Sequence, residues 1–208
     1  APEGSRGISV FLVSRNHINQ GQATAELNGV SVGSIEKKMG IKGSATCVLN
    51  FDNAEGILIG EENRGLAAMF TMMNAERITV GIQGLGFADI AYQNACNYAC
   101  ERLQSKVPGI KRTNKNADPI IEQPEIKKML LRMRCQVEGG RALATYVGHY
   151  VDVMQKSQND TEKKYADNLV SLLTPVVKSY LSDLGMESTL AAQQVFGGHG
   201  FVHDYGME

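Results

Sequence analysis

The sequence carries no surplus of charge of either sign. Lys plus Arg total 21 against 22 for Asp plus Glu, a formal charge of −1 over 208 residues. No basic field exists to collect nucleic acid phosphates, so no nucleic acid partner is expected. No apolar run approaches the ~18 residues that a membrane-spanning helix needs, so no membrane association is expected either. The four cysteines, Cys47, Cys96, Cys100 and Cys135, contain no CxxC pair, and no signal peptide pattern precedes them. That usage predicts reduced thiols in a cytoplasm and argues against both disulfides and a zinc site. Internal repeats and low-complexity tracts are absent as well.

What is present is enough chain to bury a real core, in one or two domains. The chain opens on Ala1 and stops at Glu208 soon after a glycine-rich loop, and both ends read as cuts inside a longer protein. Residues 7–15 alternate apolar and polar at Ile8, Val10 and Leu12, a strand signal. A polar stretch then interrupts until Glu26. Asn28-Gly29 predicts a hairpin or a bend before Val30, Val32 and Ile35. Residues 46–51 read as a strand with Cys47, Leu49 and Phe51 on one face, followed by an Asp52-Asn53 turn and the apolar run 57–59.

Composition changes at Glu61-Glu62-Asn63, where acids and a capping Asn precede Leu66, Met69, Phe70 and Met73 at helical spacing. The domain boundary is placed there, giving 1–62 as a strand-rich piece and 63–208 as a helical domain truncated before its end. The first helix runs to about Gln104, with Gly81, Gly84 and Gly86 inside it. Glycines cost helix propensity, so they imply close approach to a neighbour. A polar, basic loop over 105–117 leads to a helix starting at Pro124, with Ile126, Leu130, Val137, Leu143, Val147 and Val151 as its apolar positions. Ser157-Gln158-Asn159-Asp160 caps a third helix, whose apolar face is read as Tyr165, Leu169, Leu172, Leu173, Val176 and Val177. Pro175 bends that helix unless a neighbour compensates, and Gly197-Gly198-His199-Gly200 ends it. The fold class is therefore mostly α: a partial β-domain followed by a bundle of three long helices.

Residues 38–51, Lys-Met-Gly-Ile-Lys-Gly-Ser-Ala-Thr-Cys-Val-Leu-Asn-Phe, then Leu58-Ile59-Gly60-Glu61 and Asn63-Arg64-Gly65-Leu66, resemble the signature that closes the middle β-domain of acyl-CoA dehydrogenases. Met72-Met73-Asn74-Ala75-Glu76-Arg77, Cys100-Glu101-Arg102-Leu103-Gln104 and Gln194-Val195-Phe196-Gly197-Gly198-His199-Gly200-Phe201 follow in the family order. Ala117-Asp118-Pro119-Ile120-Ile121 and Glu138-Gly139-Gly140-Arg141 look most like the methylmercaptopropionyl-CoA dehydrogenase branch. The resemblance covers essentially the whole chain. Family members also carry an N-terminal helical domain, earlier β-strands that hold the flavin ring, and a later Tyr-Glu-Gly-Thr-like motif bearing the usual catalytic glutamate. None of these falls within this sequence.

The resemblance implies FAD as cofactor and an acyl-CoA substrate oxidised to a trans-2-enoyl-CoA, as in fatty acid metabolism. It also implies an electron-transfer flavoprotein or similar acceptor, and assembly into homodimers or homotetramers. Glu76 matches the minority of members that place the base on this helix before an arginine. A carboxylate of ordinary pKa, ~4.3, is a weak base toward a thioester, so a working Glu76 needs burial on substrate binding; the competing reading is a helix-surface acid. Arg77 resembles the arginine beside the substrate channel, or is a structural ion-pair partner. Arg102, with Gln104 and Ser105, matches the segment that reaches FAD across a subunit interface, where a cation suits a pyrophosphate. Gln194, Gly197 and Gly198 match the loop at the adenosine end of FAD; a solvated arginine and a plain helix stop are the alternatives. His199 and His203 are read as structural or exposed, Cys96 and Cys100 as packing residues, and no metal is assigned. Two rival functions stand beside the enzyme: a family relative that protects nucleic acid, and a plain oligomerisation domain.

Overall fold

A computed structural model describes residues 2–109 and 116–206. The chain divides into two compact units, Ala1–Met73 and Asn74–Glu208. Strands come first and helices after, in the order expected from the sequence.

The first unit holds three antiparallel strand pairs. β1 (Val10–Leu12) pairs with β6 (Ile57–Ile59), β2 (Asn16–Asn19) with β3 (Gln22–Leu27), and β4 (Val30–Ile35) with β5 (Cys47–Phe51). The β2–β3 hairpin corrects the sequence reading, which left this polar stretch as an interruption. Its turn, Gln20-Gly21, has positive φ at both residues (48° and 79°), the geometry that tight hairpins favour. Its strands are largely exposed, so no apolar alternation announces them. Asn28-Gly29 makes a bend rather than a hairpin, because β4 pairs onward with β5. Asn28 is buried; its Nδ2 donates to the carbonyls of Ser14 (2.9 Å) and Glu55 (2.8 Å), and its Oδ1 accepts from the Glu55 amide (2.8 Å).

The second unit is built on three long helices. α1 (Gly65–Glu101) starts in the first unit and runs into the second, followed by α2 (Pro124–Lys156) and α3 (Asp160–Phe196). Asn159 caps α3 by accepting from the amides of Thr161 and Glu162, the role its sequence context indicates. Two clusters of buried side chains lie along the bundle, one around Ala91, Ala95, Ala99, Met133 and Val195, the other around Leu85, Val137, Val147, Val177 and Leu181. Each large apolar side chain fully buried there contributes roughly 1.5–3 kcal/mol.

Gly81 and Gly84 make the close approach expected of them. A Cβ on Gly81 would stand 3.0 Å from the Val177 carbonyl oxygen, and one on Gly84 would meet the Leu181 backbone of α3. Gly86 does not share this role, since nothing lies within 4 Å of it; two residues turn the helix by about 200°, which points it away. The buried face of α3 also differs from the expectation. Ala166, Val170, Thr174, Val177 and Leu181 are buried, whereas Tyr165, Leu172 and Val176 are exposed. Of the expected positions Val177 is buried and Leu169 and Leu173 are half-buried, so the buried stripe is the expected one turned toward Ala166, Val170, Thr174 and Leu181. α3 continues through Pro175, which is exposed, as is Ser171, whose carbonyl loses its donor there.

Candidate functional site

The arginine end of the site is made by a segment that leaves the helix. α1 stops at Glu101, three residues short of the expected Gln104, because residues 102–105 find other backbone partners. The Gln104 amide donates to the Asp118 carbonyl (3.0 Å), the Asp118 amide to the Ser105 carbonyl (2.8 Å), and the Ile120 amide to the Arg102 carbonyl (2.8 Å). The loop read over 105–117 lies partly outside the described residues; its Val107 amide donates to the buried Asp118 carboxylate, at 3.0 Å. In an extended segment alternate residues share a side. Arg102 and Gln104 accordingly point the same way, and both line one cavity.

The opposite wall is the glycine loop. α3 ends at Phe196, and Gly197 takes φ 58°, ψ −133°, a conformation that side chains with a Cβ rarely adopt. Residues Gly197–Phe201 then form a 3₁₀ turn. The Gln193 side-chain amide donates to the Gly200 carbonyl at 3.1 Å and pins the far side of that turn to α3.

Between these walls lies a cavity of about 150 Å³, lined by Arg102 and Gln104 on one side and Gly197, Gly198 and His199 on the other. Four of the six residues assigned to the cofactor therefore meet in one place. Ser105 and Gln194 do not line it: the Ser105 carbonyl is engaged with Asp118, and that of Gln194 accepts from the Gly197 amide.

Sequence reasoning missed the aromatic floor. Tyr98 lines the cavity and stacks on Phe196 with centroids 4.2 Å apart. Its hydroxyl lies 2.9 Å from Nδ1 of His199, whose ring stacks on Tyr205 at 4.4 Å. The available signal was spacing: Tyr98 precedes Arg102 by four residues, one helical turn. Cys96 packs against the core while Cys100 is exposed. The Cys96 thiol bonds to the Tyr92 phenol and, with burial, pushes that phenol above its ordinary range. Among the described residues, no group of three His, Cys, Asp or Glu is placed to hold a metal, and no helix is long and apolar enough to cross a membrane.

Glu76 and Arg77 are not brought to this cavity. Glu76 is exposed on α1, and half-buried Arg77 donates from Nη1 to Asn74 Oδ1 at 3.4 Å. From Glu76 to Tyr98 the helix climbs 22 residues, about 33 Å at 1.5 Å per residue. Larger cavities among the described residues, of about 400 Å³ beside His17 and Glu55, about 290 Å³ between Phe87 and Met186 and about 280 Å³ beside Met129 and Glu187, include none of the assigned residues.

The sequence matches the family model described as acyl-CoA dehydrogenase, C-terminal domain, over residues 63–208. It is 39% identical over 207 residues to 3-methylmercaptopropionyl-CoA dehydrogenase of Ruegeria pomeroyi, spanning 100% of this chain and 35% of that protein. The fold superposes on ACDH-11 of Caenorhabditis elegans in complex with C11-CoA with a TM-score of 0.79 and 26% identity, over 99% of this chain and 32% of that one. An acyl-CoA dehydrogenase of Bacillus anthracis complexed with FAD gives a TM-score of 0.69 at 25% identity, over 86% of this chain and 30% of that one. The chain thus spans about a third of the length of these relatives. With its helical order, its glycine loop and its match across the whole bundle, the chain belongs to the acyl-CoA dehydrogenase family.

Proposed function

We propose that this chain is the portion of an FAD-dependent acyl-CoA dehydrogenase that grips one end of the cofactor and contributes to the acyl-CoA channel. The whole enzyme converts an acyl-CoA to a trans-2-enoyl-CoA. The observation that carries this reading is the meeting of Arg102, Gln104, Gly197 and Gly198 around one cavity. Its donor set suits a nucleotide: a guanidinium for phosphate, an amide with donors and an acceptor, bare glycine backbone for close approach, and an aromatic floor. At about 150 Å³ the cavity is smaller than the ~300–1,000 Å³ of drug-sized ligand pockets. It therefore suits one end of a dinucleotide, the remainder being held by other segments or by a second copy.

Bound FAD would supply the acceptor for a hydride from the substrate β-carbon. The chain's own residues bind and position. Arg102 neutralises phosphate charge and the Gln104 amide fixes orientation, with Gly197 and Gly198 letting the backbone come close. Glu76 is the chain's candidate for removing the α-proton; its exposed carboxylate becomes a stronger base only when substrate covers it. Arg77 stands one residue on, held toward Asn74, as the candidate contact for the CoA moiety. An electron-transfer flavoprotein or similar acceptor, and assembly as a homodimer or homotetramer, complete the proposal. The 208-residue chain by itself has little or no dehydrogenase activity on this reading.

The test is flavin retention by the full-length protein. Wild type is expected to purify yellow, and Arg102→Ala to raise the FAD dissociation constant about 10- to 100-fold, the worth of a charge-assisted hydrogen bond. A well-folded full-length protein that purifies colourless and refuses added FAD overturns the proposal.

A further inference from the structure

The cavity's two walls come from distant parts of the chain: the Arg102 wall is held by its backbone bonds to residues 118–120, whereas the facing loop is rich in glycine. Gly197, at φ 58° and ψ −133°, takes one of many conformations open to glycine, which loses more conformational freedom on ordering than any other residue. A loop of this kind needs an outside constraint to stay in one conformation. Gln193 fastens it to α3, through the Gly200 carbonyl, but that bond does not link it to the Arg102 wall.

We propose that Tyr98 and His199 are a positioning pair whose side-chain bond locks the glycine loop to the end of α1 and so fixes the spacing between Arg102 and Gly198. The inference rests on the nucleotide reading above and adds two residues to it. Tyr98 Oη and His199 Nδ1 are 2.9 Å apart across 101 residues of sequence. Tyr98 donates when Nδ1 is unprotonated and accepts when Nδ1 carries the proton. Both rings are held from the other side: Tyr98 is stacked on Phe196 with an interplanar angle of 17°, and His199 is stacked on Tyr205 at 12°. The two rings meet edge to face at 5.9 Å. Phe196 is the last residue of α3, and His199 lies inside the turn that begins at Gly197. One hydroxyl therefore bridges the last turn of α1, just before Arg102, and the loop that faces it. Stacked rings lose little freedom on forming the bond, which makes this a low-cost way to order a glycine loop before a ligand arrives.

The experiment is a double-mutant cycle on FAD affinity in the full-length flavoprotein, with apoprotein titrated by FAD and read by flavin fluorescence. Tyr98→Phe keeps the ring stack and removes only the hydroxyl; His199→Ala removes its partner. Each is expected to raise the FAD dissociation constant roughly three- to tenfold, and the double variant by no more than the larger single effect. His199→Asn, which keeps a polar atom near Nδ1, is expected to recover most of the loss. A pair with a merely structural role lowers the melting temperature of the apoprotein and leaves FAD affinity alone, and that result overturns the inference. Fully additive single effects overturn it too. Wild-type protein that binds no FAD overturns the nucleotide reading itself, whereas wild-type binding with unaffected variants overturns the pair alone.

Discussion

Two glycines of α1, two residues apart, are expected to respond to the same substitution with opposite signs. Gly→Ala in a helix interior removes backbone entropy and gains about 1 kcal/mol. At Gly86 nothing lies within 4 Å of the added Cβ, so Gly86→Ala realises that gain. At Gly84 the added Cβ meets the Leu181 carbonyl oxygen, with the Leu181 carbonyl carbon and Ser182 Cα both 2.8 Å away. These are backbone atoms of α3, and they move only if the two helices separate. Overpacking costs about 1–3 kcal/mol, and a backbone clash belongs at the upper end. Offset by the propensity gain, Gly84→Ala is destabilised by about 2 kcal/mol. For a chain of this size 1 kcal/mol shifts the melting temperature by about 2–4 °C, so Gly86→Ala rises by roughly that amount and Gly84→Ala falls by about twice as much. Thermal unfolding followed by circular dichroism at 222 nm reads both. If Gly84→Ala melts as high as Gly86→Ala, the tight α1–α3 crossing does not exist.

Other substitutions test other joints. Asn28→Ala removes three side-chain hydrogen bonds at a buried position; it should cost about 3 kcal/mol, visible as a lower urea midpoint, and a loss under ~1 kcal/mol would show that the bend is held by something else. Asn159→Ala removes the cap of α3 and is expected to cost about 1 kcal/mol, with faster amide exchange confined to the first turn; uniform exchange along α3 would contradict the capping role. Asp152, bonded to Lys156, has its carboxyl held below the ordinary range by that hydrogen bond and charge. A depressed carboxyl contributes stability that is present above its unfolded titration and lost as pH falls through its folded one. Lys156→Met should therefore raise the Asp152 midpoint in an NMR titration, and an unchanged midpoint would refute the pairing.

Helix order was legible because it rests on local signals: Pro124 at a helix start, Asn159 as a cap, Gly197 as a stop. Gly81 and Gly84 were legible too, since a glycine inside a helical pattern points to a close neighbour, although Gly86 shows that the signal does not hold at every position. What could not be read was pairing between distant segments. Residues 102–104 continue the helical pattern of α1, yet they unwind because 118–120 offers backbone partners from farther along the chain. The β2–β3 hairpin is held by a two-residue turn, backbone bonds and the Asn16 side-chain amide donating to the Thr24 carbonyl, so its polar side chains carry no apolar alternation. The family motifs supplied Arg102 and Gly197, but Phe196 stood inside one of those stretches, and Tyr98 just before the other, as ordinary aromatic residues. Only the three-dimensional arrangement shows that Tyr98 and Phe196 line the cavity and that Ser105 and Gln194 do not.

The 33 Å along α1 between Glu76 and the cavity has a consequence for assembly that can be tested in mixed oligomers. A continuous helix cannot fold back to bring its two ends together. If one flavin site uses Glu76 as base and an Arg102 wall as nucleotide grip, the proposed assembly draws the two from different copies. Glu76→Gln homo-oligomers then lack the base at every site, and Arg102→Glu homo-oligomers lack the grip at every site. Co-assembly in equal amounts makes half of the dimers mixed, and each mixed dimer has one intact site and one doubly defective site. Roughly a quarter of wild-type specific activity should return on mixing. Activity that stays at the level of the parents would mean that both residues serve the same copy, and a Glu76→Gln protein that remains fully active would remove Glu76 from the chemistry and leave the cavity standing.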